Sequence, residues 1–205
     1  MKKRIVAATG ALLVAVALYF GIFAVRCGGI RESVVRLHVL ANSDTDADQA
    51  LKLKVRDAVV TEAAGLFDGA ADAAEALDRA RAALPRLERA ATDAVTAAGY
   101  DYPVAVELCR AYFDTRTYDD AVTLPAGLYD AVRVRIGEAE GHNWWCVVFP
   151  PLCVGAAADV TAMEDVLDKD QLTVVTGGQR YAVRFKAVEW WESLCHTVRG
   201  WFGKE

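Results

Sequence analysis

The sequence predicts an α+β domain, a mostly antiparallel or mixed sheet packed with helices, preceded by an N-terminal transmembrane or signal segment. Three observations predict it: a basic start leads into a long apolar run, a β-branched run is followed by helical periodicity, and alternating stretches dominate what comes next. Grouped strands and helices, without repeated strand–helix–strand units, are typical of this class. With 205 residues, of which 54% are hydrophobic, the chain can bury a core.

The N-terminal segment has the features of an export signal. The basic residues of Lys2–Arg4 precede 21 uncharged residues, Ile5–Val25, which is long enough to cross a bilayer and also fits a signal peptide. The positive-inside rule predicts that everything after this run is exported. Residues 1–27 are therefore expected to be a signal peptide or transmembrane anchor, and residues 30–205 a single exported domain. Cleavage stays open, because the apolar run continues past the small residues Ala15–Ala17.

The first strand is expected at Val34–Leu40, which is β-branched and nearly continuous in its apolar residues. The Asn42–Asp44 cluster is typical of a turn, and Thr45 with Asp48 three residues later resembles a capping box. Apolar residues at helical spacing from Leu51 to Leu66 then predict a helix.

A second helical region, rich in alanine, runs from Ala70 to Ala98. Because a proline costs about 3 kcal/mol in a helix interior, Pro85 predicts a kink or a break near Leu84. The composition indicates a solvated packing helix.

The remaining sequence is mainly of strand character. Tyr129–Ile136 alternates clearly, so Val132–Ile136 and Val34–Leu40 are expected to be buried strands of one sheet, with Arg133 and Arg135 projecting from the opposite face. Further strands are expected at Val104–Leu108, Arg110–Tyr118, Trp144–Phe149, Thr173–Val175 and Tyr181–Phe185, and helices at Thr161–Asp168 and Ala187–Phe202.

The cysteines are read in the light of export, since an oxidising exterior permits disulfides. Pro150-Pro151 ends the strand that contains Cys146, and the chain then turns so that Cys153 can return towards Cys146. A disulfide between Cys146 and Cys153 is therefore predicted. The five cysteines leave one unpaired, and Cys27 at the membrane edge is the natural candidate.

Charge and motifs exclude several classes of function. The formal net charge is −5, and the basic N-terminus contributes +3, which leaves −8 on the rest of the chain. An acidic body argues against nucleic acid as a partner. The sequence has no Cys-x-x-Cys pair, phosphate loop or zinc-protease motif, so neither a metal nor a cofactor is expected.

Two weak arrangements leave an exported hydrolase, acting on cell wall or peptide, as the alternative function. His142 and Cys146, with Asn143 beside them, have the residue types of a thiolate nucleophile and its base. Glu138 and Glu140 would share a strand face, where the approach of two carboxylates raises the pKa of one of them. A disulfide for the cysteine and a solvated hairpin end for the glutamates are the structural interpretations, and we favour both.

The chain resembles the stage II sporulation protein R family in several segments that follow one another in order from about Val34 to Trp191. The alanine-rich stretch 70–98 departs from the resemblance. The segments that carry it are Arg36–Asp44, Asp48-Gln49, Lys52–Asp57, Leu124–Gly127, Gly137-Glu138, Asn143–Cys153 and Phe185–Trp191.

The resemblance implies a function in endospore formation. Proteins of this family are made in the forespore and secreted into the space between the two septal membranes. There they trigger a membrane-embedded aspartic protease of the mother cell, which removes the inhibitory pro-sequence of sporulation sigma factor E. The resemblance therefore implies an intercellular signal that has no catalytic residues and binds a membrane protease.

The partner-binding residues are predicted from residue type, because tryptophan and arginine contribute most to binding surfaces. Trp144 and Trp145 stand beside a stiff turn and must face opposite sides of their strand, so at least one of them is expected to point inward. The other is the expected outward anchor, and the alternative is that both belong to the core. The full set of predicted partner-binding residues is Trp144, Trp145, Asn42, Ser43, Asp44, His142, Arg133 and Arg135.

Overall fold

A computed structural model describes residues 2–152 and 160–202. The helices are α1 (Lys2–Glu32), α2 (Asp46–Ala63), α3 (Ala73–Ala97), α4 (Val160–Glu164), α5 (Lys169–Thr176) and α6 (Ala182–Phe202), and a 3-10 turn, Gly178–Tyr181, leads into α6. The strands are β1 (Val35–Leu40), β2 (Val104–Phe113), β3 (Arg116–Tyr118), β4 (Val122–Leu124), β5 (Gly127–Ile136) and β6 (Asn143–Phe149).

The main sheet has the strand order β2-β5-β1-β6. Its two central strands, β1 and β5, are parallel, whereas the outer strands β2 and β6 pair antiparallel with their neighbours. Strands β3 and β4 form a separate two-stranded antiparallel ribbon. The predicted α+β class with a mixed sheet is confirmed.

One face of the sheet packs against α2 and α3. Val35, Leu37 and Val39 of β1 and Val132 and Val134 of β5 are buried there, as the alternation in the sequence predicts. Strands β1 and β5 are therefore neighbours with a common buried face. The prediction for these two segments is confirmed, including the projection of the arginines of β5 from the opposite face.

Helix α3 is continuous through Pro85. Of the kink or break predicted near Leu84, the break is wrong and the kink stays a prediction. Asp72 caps the helix by accepting the backbone N–H of Glu75. A continuous stripe of small residues and leucine packs against α2 and the sheet, and this burial stabilises the turn that lacks the proline N–H. The buried residues of the stripe are Ala73, Ala76, Ala80, Ala83, Leu87, Ala91 and Val95.

The other face of the sheet is covered over half of its length. The end of α1 packs there with α5 and α6, and Phe23, Cys27 and Ile30 of α1 are buried with Tyr129 of β5. The last turns of α1 are thus part of the folded domain. Among the described residues, α1 is the one helix long and apolar enough to cross a bilayer, and none of its apolar window is buried.

The predicted strands at Thr173–Val175 and Tyr181–Phe185 are wrong, because the first lies in α5 and the second in the 3-10 turn and α6. A capping box between Asp168 and Gln171 starts α5, and Val174 and Val175 are buried on the inner side of that helix. The predicted strand Arg110–Tyr118 is divided, since its first residues continue β2 to Phe113. The helix expected from Thr161 is present as α4, shorter than predicted.

Candidate functional site

The parallel strands β1 and β5 end at the same edge of the sheet, and the loops that follow them are hydrogen-bonded to each other. The backbone N–H of Glu138 donates to Asn42 Oδ1 at 3.0 Å, and the N–H of Glu140 donates to the Asn42 carbonyl at 3.2 Å. The N–H of Gly141 donates to the Ala41 carbonyl at 3.0 Å. This edge, with Asn42, Ser43, Asp44, Asp48, Gln49, Lys52 and His142, is called the polar junction.

Asp48, in the first turn of α2, holds the loop after β1 in place. Its carboxylate accepts hydrogen bonds from Asn42 Nδ2 at 2.8 Å and from the Ser43 hydroxyl, and its backbone N–H donates to Thr45 Oγ1 at 3.2 Å. These bonds favour the charged carboxylate, so Ser43 first and Asn42 second lower the pKa of Asp48. Asp48 therefore ties the turn to the helix N-terminus as an anion.

Asp44 connects the same turn to the loop after β5. Its Oδ1 accepts a hydrogen bond from the backbone N–H of His142. The same oxygen contacts Nδ1 of the His142 ring. The backbone bond first, and the ring second, lower the pKa of Asp44. The His142 side chain is 80% exposed and is directed to solvent beyond this contact.

Lys52 lies beneath the junction and is buried. Its ammonium donates to the His142 carbonyl at 2.9 Å and to Gln49 Oε1 at 2.6 Å. Gln49 Nε2 in turn donates to the Ser43 carbonyl at 2.9 Å. Burial lowers the pKa of Lys52, and Asp44 acts in the opposite direction.

Two glycines allow the loops to approach this closely. Gly137 has a φ of 58°, and a Cβ at that position would overlap the Asn42 side chain. A Cβ on Gly141 would overlap the Ser43 carbonyl. Glycine is the residue without either steric conflict.

A partly exposed region of the sheet adjoins the junction, on the face away from α2 and α3. A cross-strand row there runs from Glu107 through Arg133 and His38 to Trp145. Arg133 donates to Glu107 Oε1 from Nε at 2.9 Å and from Nη2 at 2.8 Å. The His38 and Trp145 rings stack with centroids 4.7 Å apart, and burial lowers the pKa of His38.

The row nearer the junction contains Arg135 and Asn143, both exposed, with the half-buried Leu40 between them. We call these two rows the open face. Its limit is Arg36, two residues before His38, which is fully buried with its guanidinium 4.2 Å from the centre of the Phe113 ring. Beyond Arg36 the sheet is covered by α1, α5 and α6.

The structure brings most of the predicted partner-binding residues to this end of the molecule. Asn42, Ser43, Asp44 and His142 form the junction, and Arg133, Arg135 and Trp145 lie on the adjoining open face. Trp144 lies on the other side of the sheet, against the helices, with the Arg56 guanidinium 4.3 Å from its ring centre. The two tryptophans do face opposite sides, and both are half-buried.

The residue pairs that suggested a hydrolase, His142 with Cys146 and Glu138 with Glu140, are not arranged as a nucleophile and base or as a buried carboxylate pair. The His142 ring is bound to Asp44, whereas Cys146 is buried against the helices and is disulfide-bonded, so its sulfur is not a free thiolate. Its predicted partner Cys153 lies outside the described residues, and that pairing stays a prediction. The side chains of Glu138 and Glu140 are exposed. Within residues 2–152 and 160–202, no group of three His, Cys, Asp or Glu side chains is placed to hold a metal ion.

Sequence reasoning missed the part that α2 takes in the junction. The sequence predicts a capping role for Asp48 and no structural role for Lys52, yet both residues are buried. Asp48, Leu51, Lys52 and Val55 lie at spacings of three and four residues, which places two charged residues on the apolar face of the helix. A charged residue on such a face needs a partner, and that was the available signal.

Comparison with known proteins gives a consistent result. The family model of stage II sporulation protein R matches residues 31–159, more than half of the chain. Stage II sporulation protein R of Bacillus subtilis (strain 168) is 36% identical over 141 residues, which cover 69% of this chain and 62% of the relative. No solved structure matches. The matched region includes the whole polar junction, and the chain belongs to the stage II sporulation protein R family.

Proposed function

We propose that this chain is an exported signal of endospore formation that activates a membrane-embedded aspartic protease, which then processes pro-sigma-E. Family membership supports a sporulation role, and the apolar helix α1 is suited to a signal or membrane anchor. The site of action in this proposal is the space between forespore and mother cell. The exported domain binds the outer portion of the protease and performs no chemistry of its own.

The observation that carries this proposal is the hydrogen-bonded order of the polar junction, beside a sheet face on which Arg135 and Asn143 are exposed. The turn Asn42–Asp44 is held by hydrogen bonds to Asp48, His142 and Gln49, so it is already ordered in the free protein. A preorganised surface loses little conformational entropy when it binds. Arg135 supplies an exposed cation at the centre of this surface, and Trp145 an aromatic ring at its margin.

The test is reconstitution of the full chain with the protease and pro-sigma-E in vesicles, with appearance of the processed factor as the readout. Arg135→Glu reverses a charge on the open face and should reduce processing at least tenfold, since a misplaced interface charge costs about 1.4 kcal/mol or more. Arg110→Glu is the matched control. Arg110 is an exposed arginine on the neighbouring strand β2, on the opposite face and near the other end of the sheet.

Processing that needs the chain, is lost in Arg135→Glu and persists in Arg110→Glu is the expected pattern. Equal activity of both variants would overturn the assignment of the open face. Processing at the same rate without the chain would overturn the signalling function itself.

We also propose the disulfide between Cys146 and Cys153, supported by the disulfide-bonded state of Cys146. Non-reducing peptide mapping of exported protein should recover the two cysteines in one linked peptide. Cys146→Ser and Cys153→Ser should then lower stability to the same extent, by about 2–4 kcal/mol at most. A requirement for Cys146 alone would instead favour the nucleophile of a hydrolase.

A further inference from the structure

The largest exposed aromatic side chains outside α1 lie on α6, far from the polar junction. Trp190 is 69% exposed and Trp191 is 55% exposed, and Val183, seven residues before Trp190 and on the same side of the helix, is 80% exposed. Neither tryptophan belongs to the core, which among the described side chains of α6 includes Phe185 and Val188. Two adjacent exposed indoles on one helix form an apolar patch that a water-facing surface does not require.

This patch is continuous with the apolar surface of α1. The two helices form a groove lined by Phe20, Gly21 and Ala24 of α1 and by Ala187, Trp190 and Trp191 of α6. On α1 the apolar side chains that precede the groove are exposed along the helix, including Leu12, Val14 and Leu18. An apolar helix surface of this length is covered by lipid when the helix spans a bilayer.

Helices α1 and α6 run parallel to each other, so the position of the patch along α1 gives its depth in the bilayer. Near the start of α6, the Arg184 guanidinium lies 4.3 Å from the centre of the Tyr19 ring. Nearer its end, Glu192 pairs with Arg31 at 3.1 Å. At a rise of about 1.5 Å per residue, Phe20 and Ala24 lie about 8 Å and 2 Å inside the end of the apolar run at Val25. That depth is the boundary between hydrocarbon and headgroups, where Trp and Tyr are enriched.

We propose that the N-terminal half of α6 enters the outer headgroup interface beside α1, with Val183, Trp190 and Trp191 in contact with lipid. Tyr19 and the two tryptophans then form an aromatic belt on one side of the molecule. The Arg184 guanidinium lies against the Tyr19 ring of this belt, and a long arginine side chain at this depth extends towards the lipid phosphates. The sheet would be held with its polar junction directed away from this membrane, because β1 starts beside the end of α1 and the junction is at the other end of β1.

This inference rests on the membrane engagement of α1 in the proposed function, and the two can be tested separately in one preparation. The full chain is reconstituted in phosphatidylcholine–phosphatidylglycerol vesicles without protease. Flotation of the protein with the vesicles reports on α1. Quenching of tryptophan fluorescence by lipids brominated near the headgroup end of their chains reports on the depth of the indoles.

Wild-type protein should be quenched by the brominated lipids, and Trp190→Phe/Trp191→Phe should lose most of that quenching. Trp144→Phe/Trp145→Phe is the matched control and should retain it, since these residues lie on β6, away from the groove. Trp201 is retained in all three proteins, so a difference in quenching between the two variants reports on the residues that were replaced.

Equal quenching of the wild type and the Trp190/Trp191 variant, in vesicles that carry the protein to the top of the gradient, would overturn the contact of α6 with lipid. Indoles that stay accessible to aqueous acrylamide in vesicles, and become protected when the protease is added, would overturn it in favour of a protein partner. Failure of the protein to float would contradict the anchor and, with it, this inference.

Discussion

The polar junction and the exposed side of α6 lie at opposite ends of the sheet and differ in how their side chains are satisfied. At the polar junction almost every polar side chain already has a partner within the protein, and the adjacent tryptophans of β6 are half-buried against Arg56 and His38. At the other end, Trp190 and Trp191 of α6 are exposed beside an apolar helix. The polar junction is therefore an ordered surface suited to a specific protein partner, whereas the exposed side of α6 is an apolar surface suited to a bilayer.

The tryptophan pairs provide the largest expected difference. Trp145 stacks on His38 and lies edge-on to Phe113 with ring centres 4.5 Å apart. Trp145→Ala should therefore lower the free energy of unfolding by about 2–3 kcal/mol, less than a fully buried aromatic because the ring is half-buried. Trp190→Ala should change it by about 0.5 kcal/mol or less. Denaturant unfolding in micelles measures both, and an equal loss would mean that α6 is packed against something in the folded domain.

Disrupting the contact between the loops that follow β1 and β5 should have a smaller effect on stability, and the chain offers a closely matched control. Gly137 and Gly69 both have a positive φ, 58° and 69°, but an added Cβ overlaps Asn42 at the first and meets nothing within 4 Å at the second. Gly137→Ala should therefore be less stable than Gly69→Ala by about 1–3 kcal/mol, the usual cost of overpacking. Thermal unfolding of both variants isolates the contact from backbone strain. Similar melting temperatures would show that the loops are not held together.

The smallest effect is a change in pH dependence. The pKa of Asp48 is lowered in the folded state by its bonds from Ser43 and Asn42. An unfolded chain therefore binds more protons than the folded one as the pH falls below about 4, and stability declines there. Asp48→Asn removes this titration, so its unfolding free energy should fall less steeply between about pH 4 and pH 2. An identical slope in the wild type and the variant would show that the junction does not depend on the charged carboxylate.

Much of the sheet could be predicted because β1 and β5 differ from the rest of the chain in local pattern. Val132–Ile136 alternates, and one face of it must be buried wherever the strand lies. The helix α5 was misread because Thr173–Val175 is β-branched, whereas the signal that decided its structure, the capping box of Asp168 and Gln171, lies at its start. The tendency of Pro85 to break α3 was overestimated, because the packing of the helix through its small residues is a tertiary effect that the local sequence does not show.

The candidate site also has parts that the sequence predicts and parts that it does not. The turn Asn42–Asp44 could be recognised from composition, and the facing of Trp144 and Trp145 from strand geometry. The hydrogen bonds that join His142 to Asp44 of this turn and to Lys52 could not be predicted, since they depend on the parallel register of β1 and β5 across about ninety residues. The exposure of Trp190 and Trp191 was also hidden, because an amphipathic pattern shows that a helix has an apolar face but not what covers it.

Photo-crosslinking from two positions tests the division between the ends most directly. A benzophenone side chain is placed at Asn143, exposed on the open face, or at Val183, exposed on α6, and each full-length protein is illuminated in vesicles that contain the protease. We predict that position 143 forms an adduct with the protease and that position 183 forms adducts with lipid. An adduct with the protease from position 183, and none from position 143, would contradict it.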